Sequence, residues 1–92
     1  METQEIFCIV RGRVQLVMFR DFAARKARRF GIVGYVKNLP DGTVEALAQG
    51  APERLDEFVD LLHRGSLLSR VDNIEVERRA PTARHRDFVI GW

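Results

Sequence analysis

The chain has 92 residues, 46% of them hydrophobic and 30% charged, with a formal net charge of +2. That length predicts one small domain, residues 1–92, with room for a single core, and the balance excludes a disordered chain. The net charge is too small to imply nucleic-acid binding by itself, and no stretch is apolar for long enough to span a bilayer.

Ile6-Phe7-Cys8-Ile9-Val10 is a short continuous apolar run rich in β-branched residues, which predicts a buried central strand. Cys8 is the single cysteine, so no internal disulfide framework exists, and its apolar neighbours mark it as a small packed side chain. Gly12 to Arg20 follows as a loop, and helical spacing begins near Arg20, with Phe19, Phe22, Ala23, Ala27 and Phe30 on one face and Gly31 as the stop. Asp21 in the first turn suits the helix dipole. A strand, a loop and an arginine in the first helical turn make an anion site. The loop amides, the unpaired helix amides and the guanidinium converge on one point, and they suit a ligand the size of phosphate. Binding and chemistry both remain open at this stage.

The same helix carries Arg25, Lys26, Arg28 and Arg29. The plainer reading is a solvated face, and the sharper one is a positive field that draws in small anions. Ile32 to Leu39 predicts a second strand, and Pro40-Asp41-Gly42 a turn in which Asp-Gly supplies positive-φ geometry. Thr43 to Gln49 alternates as a third strand, with Val44, Ala46 and Ala48 opposite Glu45, Leu47 and Gln49. Pro52 opens a second helix whose stripe is Leu55, Phe58, Val59 and Leu62, ended by Gly65. Ile74 and Val76 alternate with Glu75 and Glu77 in a fourth strand, and Phe88, Ile90 and Trp92 alternate in a fifth. The order βαββαβ with an extra C-terminal strand predicts an α+β, ferredoxin-like sandwich. Its antiparallel sheet carries both helices on one face.

Two blocks now acquire a specific resemblance. Val10-x-Gly12-x-Val14-Gln15-x-Val17-x-Phe19-Arg20 and Gly34-Tyr35-Val36-x-Asn38-x-x-Asp41-Gly42-x-Val44 resemble the two motifs of the acylphosphatases, and Phe88-x-Ile90-x-Trp92 is similar to that family's closing strand. The resemblance implies hydrolysis of the carboxyl–phosphate anhydride of small acyl phosphates, without metal, cofactor or covalent intermediate. It implies that Arg20 holds the phosphoryl group with backbone amides of the loop Gln15, Leu16, Val17, Met18, Phe19 and Arg20, and that Asn38 orients the attacking water. Inorganic phosphate, the product, is then an expected inhibitor. A carboxylate whose conjugate acid has a pKa of about 4 leaves without a general acid. A loose transition state asks chiefly for positioning and charge stabilisation.

Leu16 stands where the family pattern has glycine. A left-handed backbone there costs a leucine on the order of 1–2 kcal/mol, and a close approach to phosphate is obstructed by its side chain. A leucine packed inward instead leaves the amides in place. Met18 occupies a position expected to be more permissive. His63 and His85 fall outside both motifs and read as structural, and Glu75 and Glu77 lie away from them. The competing readings are an anion-binding module of the same fold with weak or no catalysis, and an RNA-binding sheet. The latter expects aromatics on the central strands, and Thr43 to Gln49 has none. The length suggests a domain standing alone, and the N-terminus lacks a signal-peptide pattern. The expected protein is thus a cytoplasmic monomer with no nucleic-acid or membrane partner.

Overall fold

The computed structural model describes residues 2–91, so Trp92, expected in the last strand, lies outside them. Among the described residues the elements are β1 (Gln4–Arg13), α1 (Phe19–Arg29), β2 (Val33–Asn38), β3 (Val44–Gly50), α2 (Pro52–Arg64), β4 (Arg70–Arg79) and β5 (Phe88–Ile90). They form one sheet in the order β4-β1-β3-β2-β5. Pairing is antiparallel for the first four strands and parallel between β2 and β5. The antiparallel expectation therefore holds for the four strands of the sandwich, while the added strand makes the sheet mixed.

Strand alternation decides which side meets the helices. Ile6, Cys8 and Val10 of β1, Val36 of β2 and Val44, Ala46 and Ala48 of β3 are buried against Phe19, Ala23, Ala24 and Ala27 of α1 and Leu55, Phe58 and Leu62 of α2. Three small alanines let α1 lie close to the sheet, and the Phe58 ring meets Phe88 edge-on at 5.9 Å. Burial pushes the Cys8 thiol up to about 12, so it is packed and inert, as its neighbours predict.

β1 runs past the expected Val10 to Arg13 because β4 continues to pair with it, with a register shift between Arg11 and Gly12. Gly12 has φ +135°, and a Cβ there would collide with the Arg70 carbonyl oxygen. Gly34 is the equivalent close approach on β2, where a Cβ would strike the Leu47 carbonyl oxygen. Each motif glycine is thus required by a neighbouring strand.

β3 departs from simple alternation. Gln49, on the side expected to face solvent, is buried and donates to the Glu5 carboxylate at 2.8 Å and to the Ala83 carbonyl. The segment between β4 and β5 folds across that end of the open sheet face. Thr82 donates to Glu5 through its backbone N–H and hydroxyl, and Arg79 donates at 2.6 Å. Burial alone would raise the Glu5 carboxyl. The hydrogen bonds from Gln49, Arg79 and Thr82 outweigh it and hold the group at about 2.

Candidate active site

Beyond the end of β1 the chain alternates inward and outward. Val14, Val17 and Phe19 are buried, while Leu16 is 97% exposed and Met18 68% exposed. The inward residues fasten the backbone, and the outward ones take left-handed conformations, Leu16 at φ +60° and Met18 at φ +62°. Two left-handed residues bracket Val17, and alternation of this kind is the backbone pattern from which anion-binding concavities of N–H groups are made. Met18 is also the N-cap of α1, with no side chain capping the first helical turn. The first-turn amides of α1 are therefore left without a side-chain partner.

Of the alternatives for Leu16 the left-handed one holds, since its φ is +60° and its side chain stands almost wholly in solvent rather than packed inward. One expectation is corrected. The Met18 position is not more permissive than that of Leu16, because its backbone is left-handed as well. Both residues forgo the conformation a side chain prefers, at a cost of about 1–2 kcal/mol each.

Side chains reach in from distant elements to hold this backbone. Gln15 donates from Nε2 to the Leu39 and Thr43 carbonyls, both at 2.8 Å, tying the loop to the β2–β3 turn. That turn is closed by Leu39 N–H on Thr43 O, 2.9 Å, and by Asp41, which accepts from the Thr43 N–H and hydroxyl. These bonds hold the Asp41 carboxyl below the usual range. From the other side, the Ser66 hydroxyl donates to the Val17 carbonyl at 3.0 Å. The residue-type pattern points to Gln15 only as a loop amide, and no sequence signal marks Ser66.

Arg20 lies in the first turn of α1. Its Nη1 donates to the Gly91 carbonyl at 3.0 Å, and the Gly91 N–H donates to Val36 O at 2.7 Å. One guanidinium nitrogen is thereby anchored just beyond β5, and among the described residues the Arg20 side chain makes no other hydrogen bond. A cavity of about 320 Å³ opens here, lined by Val14, Leu16, Met18, Phe19, Arg20, Asp21 and Ile90.

Asn38 is not among those lining residues. It ends β2 opposite Val44, two residues beyond Val36 and so on the sheet side that the helices cover. Gln15 joins the loop to both neighbours of that pair, Leu39 and Thr43. Asn38 Oδ1 is buried and has no hydrogen-bond partner among the described residues. A buried amide oxygen is costly to leave unpaired, so Oδ1 is an unsatisfied acceptor at this end of the sheet.

The remaining candidates lie elsewhere. His63 is exposed near the end of α2, and His85 stands 6.1 Å from the Tyr35 ring. Glu75 pairs with Arg11, and Glu77 with Arg79. Of the basic residues on α1, Arg28 is structural, since its Nε and Nη2 both donate to the Phe88 carbonyl and hold β5 in place. Among the described residues no group of three His, Cys, Asp or Glu is placed to hold a metal ion, and no helix is long and apolar enough to cross a membrane.

The model of the acylphosphatase family matches residues 6–90. An acylphosphatase of Thermococcus kodakarensis is 45% identical over 80 residues, covering 87% of this chain and 88% of that protein. One from Methylococcus capsulatus is 40% identical over 87 residues, covering 95% of each. The crystal structure of the Bacillus subtilis acylphosphatase matches with a TM-score of 0.94 at 38% identity, over 97% of this chain and 99% of that one.

Proposed function

The chain belongs to the acylphosphatase family and hydrolyses acyl phosphates, and from that premise we propose how its own residues divide the work. The phosphoryl group sits in the concavity between Leu16 and the start of α1. It accepts hydrogen bonds from the amides of Gln15 to Arg20 and a charge-assisted pair from Arg20. A water accepted by Asn38 Oδ1 attacks phosphorus opposite the carboxylate oxygen. As the new P–O bond forms, the bond to the carboxylate oxygen breaks, and the water's proton passes to a phosphoryl oxygen. The products are a free carboxylate and inorganic phosphate.

No protein base is needed for this sequence, and none of its steps calls on a metal. The leaving carboxylate is a weak base, so it departs unprotonated. What the protein supplies is position and fixed positive potential, the two contributions a loose phosphoryl transfer uses. One observation carries the assignment above the others: the alternating left-handed loop runs without a side-chain cap into the helix bearing Arg20. A monomer goes with this proposal, as does a cytoplasmic location.

The direct test is hydrolysis of benzoyl phosphate by the purified protein with and without EDTA. The expected result is turnover well above buffer and unchanged by the chelator. A rate equal to buffer would leave only an anion-binding module, and loss of activity in EDTA would overturn the metal-free route.

A further inference from the structure

Leu16 and Met18 are large apolar side chains, 97% and 68% exposed, on backbone conformations that side chains avoid. A single exposed leucine needs no explanation. Two at alternate positions, both strained and both at the mouth of one cavity, do. Neither gains burial in the folded protein that would offset its strain, so any return comes from what enters the cavity. Five of the seven lining residues are apolar, and Ile90 joins the wall from β5. The two charged lining residues have separate consequences. Arg20 is directed at the phosphoryl end, while the Asp21 carboxylate disfavours a second negative charge on the rest of the substrate.

We infer that Leu16, Met18 and Ile90 form an apolar lip that receives the acyl chain, making this enzyme selective for acyl phosphates with extended, uncharged hydrocarbon acyl groups. This rests on the hydrolysis proposed above. With the phosphate held by the loop amides and Arg20, the acyl group leaves the cavity between the two outward side chains. Contact there removes apolar surface from water on both partners. Full burial favours each added methylene by about fourfold, and an open lip by roughly twofold. Leu16 and Met18 thus act as specificity-determining side chains, distinct from their backbone amides, which serve the phosphate.

The test compares kcat/KM for acetyl, butyryl, hexanoyl and succinyl monophosphate in the parent, Leu16→Gly, Met18→Ala and Leu67→Ala. Leu67 is equally exposed but does not line the cavity. The reading is the hexanoyl-to-acetyl ratio within each variant, so a change in overall rate does not enter. The parent ratio is expected at about tenfold or more, falling to about threefold or less in Leu16→Gly and in Met18→Ala, and unchanged in Leu67→Ala. Succinyl phosphate should be the poorest of the four-carbon substrates. A parent ratio near one, or a ratio that survives both loop substitutions, overturns the lip while acetyl phosphate turnover keeps the hydrolysis reading intact. Failure to hydrolyse any of the four, acetyl phosphate included, overturns the hydrolysis reading itself.

Discussion

β1 leads at its start to a set of polar groups that are all matched and, just past its end, to a set that is not. At the start, the Glu5 carboxylate takes hydrogen bonds from Gln49, Arg79 and Thr82 and lies completely buried beneath the segment before β5. Past the end, the loop from Val14 to Met18 keeps two residues in left-handed conformations, and α1 begins uncapped. Nearby, Asn38 Oδ1 is buried without a partner among the described residues. The loop is not loose, since Gln15 and Ser66 pin its flanks to the β2–β3 turn and to the α2–β4 connection. Stability is concentrated where donors and acceptors are satisfied, and the proposed chemistry lies where they are held open.

The strongest way to break this comparison is at the open end. In the proposed mechanism Arg20→Gln removes a charge that meets phosphate in both ground and transition states, so turnover and phosphate affinity should fall together. In the same mechanism Asn38→Ala removes only the acceptor for water, so kcat should drop on the order of 10²-fold or more while the inhibition constant for phosphate changes little. Rates on benzoyl phosphate, with phosphate as competitor, separate the two. Circular dichroism first establishes that both variants fold, because Asn38 adjoins the turn at Pro40. A folded Asn38→Ala enzyme with near-parental kcat would remove Asn38 from the water. Unchanged phosphate affinity in Arg20→Gln would remove the arginine from the site.

At the matched end the same logic predicts a loss of stability without a loss of chemistry. Glu5→Gln leaves Arg79 without its buried carboxylate and should cost about 2 kcal/mol, roughly 10 °C in Tm, with the rate per folded molecule unchanged. The parent should also carry an acid dependence that the variant lacks. Glu5 sits at about 2 in the folded protein against an ordinary 4.5. Above pH 4.5 its full contribution is present. As the pH falls from there toward 2, the unfolded chain takes up a proton that the folded one refuses, and stability declines. Urea midpoints at pH 6 and pH 3 measure the difference. An equal loss in Glu5→Gln and parent would show that other carboxylates account for it.

The open end was far more legible in the sequence than the matched one. Arg20 and the helix behind it follow from periodicity, and the motif glycines Gly12 and Gly34 mark places where backbones touch. The Gln15 staple was not legible in its side-chain role, because its partners are carbonyls 24 and 28 residues away and a carbonyl has no residue identity. Glu5 reads as an ordinary polar residue at a strand's beginning. Its burial depends on a segment, around Thr82, that has no periodicity to announce where it lies. The left-handed backbone at Met18 was missed for a related reason. Only glycine advertises that geometry, and neither Leu16 nor Met18 does.

The smallest expected effect sharpens the comparison most, because it asks whether the open end is strained as well as unpaired. In a buried or helical position, Leu→Gly destabilises through lost packing and added unfolded-chain entropy. At Leu16 the side chain is almost wholly exposed, so there is little packing to lose. Glycine adopts φ near +60° freely, which relieves about 1–2 kcal/mol, against an added entropy cost of about 0.4–1 kcal/mol. The balance is a gain of between zero and about 1.6 kcal/mol, so Leu16→Gly should melt at the parental temperature or several degrees above it. Leu67→Gly, equally exposed and outside the left-handed positions, carries the entropy cost without the relief and should melt slightly lower. The two variants together isolate the backbone term, since both delete the same exposed side chain. If Leu16→Gly instead melts several degrees below Leu67→Gly, the left-handed residue is not stored strain, and the loop owes its shape to contacts made by the leucine itself.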